Sequence, residues 1–280
     1  MANTISTNLT GCKEVLNIGL ATLTSRLAAL SAFALHVSPK PLRPAAVHEV
    51  GRCTGVGATQ TDRTNWEANG DSTVDAVEIT PAQISQSFHL RHLDTQGGAT
   101  VKSIIEKNVA AFAAKCMDVV LAPLTAANYG AATLTKTAAA FVAADVSTLA
   151  GGIDSPNRAL VLHGGHLMKL AGSVVAGPNG KLVFPGFTNL AENSRWTAAE
   201  ANVRGFACAP EALIVLAGLP AEMPSSAPLL QQAVTIPGIE LQALYTAWIA
   251  PGTRTLWCSF DVVIGAAVGD AAALELLKIA

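Results

Sequence analysis

The sequence predicts an α+β fold, and three features predict it. A long amphipathic helix is expected between Gly97-Gly98 and Pro123, a polar two-stranded arm between Pro44 and Ile79, and a pair of long strands beyond Pro237.

Taken in chain order, residues 13–37 place Val15, Leu16, Leu20, Leu23, Leu27 and Leu30 at helical spacing, but Gly19 and several threonines weaken the pattern, so a short, moderately helical N-terminal arm is expected. Pro39, Pro41 and Pro44 then exclude a helix. In the next segment Val47, Val50, Val56, Val74, Val77 and Ile79 flank a polar tip at 59–72, which holds Asp62, Arg63, Trp66, Glu67 and Asp71. Two poorly hydrophobic strands around a polar turn read as a long hairpin, and such a ribbon is marginally stable unless it lies on another surface. In the long helix Val101, Ile104, Ile105, Val109, Phe112, Cys116, Val119 and Val120 trace one face, with Lys102, Glu106, Lys107, Lys115 and Asp118 elsewhere on the wheel.

A second helix is expected after the Pro/Asn/Gly connection, carrying Leu134, Phe141, Val142, Val146 and Leu149 and stopping at Gly151-Gly152. Residues 158–162 read as a short buried strand, and Gly164-Gly165 opens a short helix over 166–171. Residues 174–176 and 181–184 face each other across Gly177-Pro178-Asn179-Gly180, a hairpin signal. One more helix is expected over 197–203. The last part is strand-like: 240–249, a Pro251-Gly252 turn, then 253–264 with Trp257, Phe260, Val262 and Val263.

The composition excludes several functions. Half of the 280 residues are hydrophobic, yet only 14% are charged, against about 25% in an ordinary soluble domain. Such a surface suits burial against something. The uncharged windows 119–135 and 223–239 are broken by Pro123, Gly130, Pro224, Pro228 and Pro237, short of the roughly 20 apolar residues a spanning helix needs. No signal peptide is expected, because 1–11 holds no basic residue and no apolar block. The near-neutral balance of 18 basic and 20 acidic residues, with no basic run, argues against tight salt-driven nucleic-acid binding. Cys12, Cys53, Cys116, Cys208 and Cys258 lie far apart without a C-x-x-C pair, which points to free thiols in a reducing compartment.

Local motifs for chemistry fail one by one. Gly180-Lys181 lacks the phosphate-loop pattern, having Val175 and Leu182 where Gly and Ser or Thr are required, and Gly55-Val56-Gly57 is followed by Gln60 where a dinucleotide loop needs its third glycine. The pairs His89/His92 (with Asp94) and His163/His166 have zinc-like spacing without a convincing helix, so no metal, cofactor or catalytic residue is assigned. No G-x-S-x-G is present, and no cysteine has a histidine partner nearby in sequence.

The order of features resembles the major capsid proteins of tailed double-stranded DNA bacteriophages, the Hong Kong 97-type coat fold. The segments that carry the resemblance are Pro39-Lys40-Pro41-Leu42-Arg43-Pro44 before the arm, Val77-Glu78-Ile79-Thr80 returning from it, and Cys116-Met117-Asp118 closing the long helix. Arg158-Ala159-Leu160-Val161-Leu162-His163, Gly205-Phe206-Ala207 and Phe260-Asp261-Val262-Val263-Ile264-Gly265 continue it, so that it covers nearly the whole chain. It implies an N-terminal arm (1–37), an extended E-loop (38–80) and a P-domain (81–155) with a spine helix at about 98–121. An A-domain (156–250) and C-terminal strands returning to the P-domain (251–280) would follow.

The resemblance implies a non-enzymatic structural protein that assembles into hexamers and pentamers of an icosahedral shell. Its partners would be copies of itself, neighbouring capsomers through the E-loop, a portal, possible scaffolding or decoration proteins, and enclosed DNA held by weak non-specific contact. No membrane is implied; the location would be the virion, after assembly in the host bacterial cytoplasm. The inter-subunit residues expected on the arm are Arg52, Asp62, Arg63, Trp66 and Glu67, because charges on a thin arm can pair across subunits and Trp favours interface pockets. Two family features are not expected. Only about 35 residues precede the arm, so cleavage of an N-terminal scaffolding segment is not inferred, and with no lysine between Lys40 and Lys102 neither is a lysine crosslink. The alternatives are an encapsulin-type nanocompartment with protein cargo and a soluble α/β enzyme with a site made of remote residues.

Overall fold

The computed structural model describes residues 5–55, 73–90, 98–176, 182–193, 202–221, 228–250 and 255–279. Its backbone is organised by β14 (Thr255–Val268), the longest strand. Along one edge β14 pairs with β4 (Ala82–Leu90); along the other it pairs first with β13 (Gln242–Ala250) and then with β11 (Leu213–Gly218). With β1 (Ala34–Val37) beside β11 and β12 (Leu230–Thr235) beside β13, this makes a six-stranded sheet.

Two long helices cover one face of that sheet. α1 (Ile5–Arg26) buries Cys12, Val15, Leu16 and Leu23, and α2 (Gly98–Leu121) buries Ile105, Val109, Phe112, Cys116 and Val120. Both sets follow helical spacing. α2 ends before Pro123, as its sequence requires. By length and composition α2 could also cross a membrane, but its apolar face lies here against α1, β4 and β14. The N-terminal helix is longer than the expected short arm because tertiary contact overrides propensity. Gly19 lies directly beneath the Phe260 ring, where a Cβ would come within 2.5 Å of Cζ. Thr22 and Thr24 satisfy their hydroxyls by donating to the carbonyls of Ile18 and Leu20 one turn back. The Phe260 ring also meets Tyr245 and Phe112, at centroid distances of 5.0 and 6.3 Å, and the Tyr245 hydroxyl donates to the Cys12 carbonyl at 2.9 Å.

A five-stranded sheet forms the second layer, in the order β5 (Leu134–Thr135), β15 (Leu274–Lys278), β10 (Val203–Cys208), β6 (Ala159–Leu162), β9 (Asn189–Glu192). The buried strand expected at 158–162 is β6, and the short helix after Gly164-Gly165 is α5 (Gly164–Leu167) with a 3-10 turn to Leu170. The helix expected around 134–151 is cut down to α4 (Ala143–Gly151), preceded by α3 (Ala126–Tyr129). Leu134 belongs instead to a strand paired with Leu277, and Asp145 starts α4 by accepting the Val142 N–H at 2.9 Å. Of the helix expected at 197–203, residues 197–201 lie outside the described residues and Val203 starts β10. The small hairpin is present as β7 (Val175–Ala176) and β8 (Leu182–Val183), its turn outside the described residues.

The two sheets share chain. β10 passes into β11 through residues 209–212, and β14 passes into β15 through 269–273, while β10 pairs with β15 and β11 with β14. A two-stranded ribbon therefore runs out of one sheet, bends, and enters the other. At the bend the Gly269 N–H donates to Ala212 O at 2.9 Å, the Asp270 N–H to Glu211 O at 2.8 Å and the Tyr129 hydroxyl to Ala212 O at 2.8 Å. Only glycine fits at 269, since a Cβ there would collide with the Glu211 carbonyl.

The other face of the six-stranded sheet buries Asp261, whose Oδ2 accepts the Ser259 hydroxyl at 2.6 Å. Burial pushes this carboxyl above the ordinary aspartate range, against the pull of hydrogen bonds from Ser259 and Ser85. Because its folded-state value lies above the unfolded one, the stability that Asp261 contributes is fully present below the unfolded value, about 4, and is lost as pH rises through the folded one. Asp261→Asn is therefore expected to melt higher than the wild type at pH 7, with its advantage appearing as pH rises above about 4 and absent below it. A variant profile parallel to the wild type would contradict this.

Candidate assembly surface: the outward hairpin

The arm is a two-stranded ribbon, β2 (His48–Gly55) against β3 (Thr73–Ile79), and no third strand joins it among the described residues. Its register pairs His48 with Ile79, Glu49 with Glu78, Val50 with Val77, Gly51 with Ala76, Arg52 with Asp75 and Cys53 with Val74. Directly opposed residues share a face. The inner face carries His48, Val50, Arg52, Val77 and Ile79. Val50 and Ile79 join Leu42, Ile214, Leu216 and Val263 in a small apolar cluster separate from the main core, which seats the root of the ribbon on β11 and β14. The Arg52 guanidinium donates to the Gly269 carbonyl and so fastens the ribbon to the bend between the sheets.

The outer face holds Glu49, Gly51, Cys53, Val74, Ala76 and Glu78, every one exposed, and Val74 is 65% exposed. It runs from an acidic pair at the root, through a flat Gly51/Ala76 saddle, to the apolar pair Cys53/Val74. Two carboxylates directly opposed on a ribbon destabilise it. Among the described residues neither has an ion-pair partner. Matching chemistry lies on the solvent side of α2, where Lys107, Ala111 and Lys115 are exposed at four-residue spacing and form one stripe. Neither lysine is in an ion pair among the described residues, whereas Lys102 reaches Glu106 at 3.8 Å.

Of the residues singled out in the sequence, Arg52 is placed as described, bound within its own chain; Asp62, Arg63, Trp66 and Glu67 lie outside the described residues. Glu49, Glu78, Lys107 and Lys115 were not legible as a set. The eight-residue spacing of the lysines is visible in sequence, but the carboxylates oppose each other only once the strand register is known.

The described histidines of the two H-x-x-H pairs pack and hydrogen-bond within the chain. His89 packs on Trp257 at 4.9 Å, and Trp257 stacks on Trp248 at 6.1 Å. His163 accepts the Gly165 N–H through Nδ1 at 3.2 Å, capping α5, while buried His166 lies 3.3 Å from Lys136 O. His92 is outside the described residues, and among those described no cluster of three metal-ligating side chains occurs. Cys12, Cys116, Cys208 and Cys258 are buried free thiols. Burial pushes Cys258 up to about 12 and raises the other three as well, which keeps them as unreactive thiols.

A long ribbon, a spine-like helix and two sheets joined through a bent ribbon define the Hong Kong 97-type coat fold. The comparison with solved structures agrees. The chain is similar to the virus-like particle from Pyrococcus furiosus, with a TM-score of 0.53 and 10% identity over 95% of this chain and 98% of that one. It is also similar to the capsid of cyanophage P-SCSP1u, with a TM-score of 0.50 and 11% identity over 89% of this chain and 86% of that one. No protein-family model matches the chain, and no curated protein sequence matches it either.

Proposed function

We propose that the chain is the major capsid protein of a tailed double-stranded DNA bacteriophage, assembling into hexamers and pentamers of an icosahedral shell. The observation that carries this reading is the two-faced ribbon, anchored on one side to its own chain and left bare on the other, within a coat fold. The ribbon (38–80) acts as the E-loop and lies on a neighbouring copy, its Glu49/Glu78 pair against the neighbour's Lys107/Lys115 stripe. α2 acts as the spine, 156–250 as the A-domain, and the arm residues Asp62, Arg63, Trp66 and Glu67 meet neighbouring subunits, while Arg52 anchors the ribbon to its own chain. The protein is structural rather than enzymatic. It resides in the virion after assembly in the bacterial cytoplasm, with a portal and any scaffolding or decoration protein as further partners and the DNA held only by weak non-specific contact.

The purified protein is expected to form closed particles in light scattering and negative-stain microscopy. A stable monomer or small oligomer under all assembly conditions would refute the reading and favour the remote-site enzyme. A second reading, a nanocompartment shell, is favoured by the likeness to a virus-like particle. Particles isolated from the native source separate the two: encapsidated DNA by absorbance and nuclease protection supports the phage shell, whereas a stoichiometric cargo protein without DNA supports the compartment.

A further inference from the structure

The six-stranded sheet ends on one side in a strand that nothing protects. β4 supplies that edge: its nine residues pair with β14 in one unbroken register, and among the described residues nothing pairs with its outer side. The open stretch begins at Ala82, since the Pro81 carbonyl before it accepts the Ala45 N–H at 2.9 Å. Chains blunt an exposed edge with shortness, charge, proline or a bulge. β4 reads Ala-Gln-Ile-Ser-Gln-Ser-Phe-His-Leu and has none of these. The other edges are shorter or charged: β1 and β9 have four residues, β5 two and β12 six, and the ribbon strands carry Glu49, Arg52, Asp75 and Glu78.

The two faces of β4 differ. Ile84, Phe88 and Leu90 are buried on the α2 side, where the Gln86 amide also donates to Asn108 Oδ1 at 3.1 Å. Gln83, Ser85 and Ser87 are exposed on the other face. A strand added to this edge must match both faces, because a slip of one residue exchanges them. β4 of a second copy matches them. Laid antiparallel about a two-fold axis at Gln86, Ile84 meets Phe88, Ala82 meets Leu90, Ser85 meets Ser87 and Gln83 meets His89, so that all nine residues are paired and no like charges oppose each other. Symmetry asks for such a contact. The ribbon on a neighbour's α2 joins two different patches, which closes a ring of copies; joining one ring to another takes a further contact, and a two-fold one uses the same patch on both copies.

We propose that β4 is the seam between rings, pairing antiparallel with β4 of a second copy about Gln86. The seam rests on the shell reading and names the contact that would join one capsomer to the next. The test places single cysteines in the full chain after Cys53→Ser, since Cys53 is exposed and the other four thiols are buried. The variants are oxidised with copper phenanthroline under assembly conditions and read on a denaturing gel. Gln86→Cys is expected to give about tenfold more disulfide-linked dimer than Gln83→Cys, because position 86 faces itself within disulfide reach whereas position 83 lies about 20 Å from its counterpart. Ser85→Cys and Ser87→Cys proteins, mixed before assembly, should crosslink to each other and neither to itself, like positions being about 7–8 Å apart. This second pair leaves the Gln86–Asn108 bond in place and decides alone if Gln86→Cys fails to fold. Equal dimer from Gln83→Cys and Gln86→Cys overturns the proposal. So does a crosslink from Gln86→Cys to Cys53 in the parent sequence, which gives the edge to a neighbour's ribbon. Particle formation is scored separately: particles without either crosslink remove this contact and leave the shell, whereas crosslinked dimers without particles remove the shell and leave the contact.

Discussion

Replacing Glu49 and Glu78 together by lysine is expected to abolish particle formation while leaving the folded subunit intact. Both side chains stand on the outer face of the ribbon, away from the chain's own body. Exposed substitutions of this kind change stability by about 0.5 kcal/mol or less. In a shell the same two positions would bring like charges onto Lys107 and Lys115 at every copy of the contact, and like-charge juxtaposition at an interface costs several kcal/mol. The single change Glu78→Lys separates the two roles more sharply. A lysine opposite Glu49 relieves the repulsion within the ribbon, worth about 0.2–1 kcal/mol, so the subunit should melt at the same temperature or slightly higher even as assembly weakens. Lys107→Glu with Lys115→Glu should restore assembly of the double lysine variant. Assembly yields that ignore both reversals would place the outer face in solvent and remove the proposed contact.

The second large effect concerns Gly19. In most helix interiors Gly→Ala stabilises by about 0.5–1 kcal/mol. At position 19 the sign should reverse, because the new Cβ would lie 2.5 Å from Cζ of Phe260. That ring cannot step aside cheaply, being fully buried between Tyr245 and Phe112. Gly19→Ala is expected to destabilise by about 1–3 kcal/mol, the usual cost of overpacking a core, and Gly19→Val to cost more, read as a lowered denaturant midpoint. Gly19→Ala with Phe260→Leu should recover part of the loss if the ring is the obstacle. A Gly19→Ala protein as stable as wild type would mean that α1 moves freely on the sheet.

How far the sequence could be read depended on whether a pattern was local. α2 was plain because its apolar face repeats over many turns and a proline ends it. The ribbon was plain as a hairpin with little apolar content, yet its two faces were not, since a shift of one residue in pairing exchanges them. α1 looked weak because Gly19 and its threonines are unfavourable in isolation, and only the ring of Phe260, more than two hundred residues away in sequence, explains the glycine. β11 was missed: Leu213–Gly218 is buried throughout, and a short continuous apolar run carries no period to tell strand from helix. The same holds for Leu134, where apolar spacing suggested a helix and the edge of β15 claimed a strand. Of the assembly surface, Arg52 was singled out as a charge on a thin arm, but its fastening to Gly269 joins positions that only the folded chain brings together.

The bend at 209–212 and 269–273 has a mechanical consequence. Because both strands of one ribbon cross there, the two sheets cannot rotate against each other without flexing the ribbon at that point. Arg52 ties the arm to the same carbonyl-lined corner, beside the apolar seat of the ribbon's root on β11 and β14, so the arm and the flexure share one attachment. Arm, corner and the two sheets are thus joined at a single place in the chain, where one glycine carbonyl takes the arm's arginine.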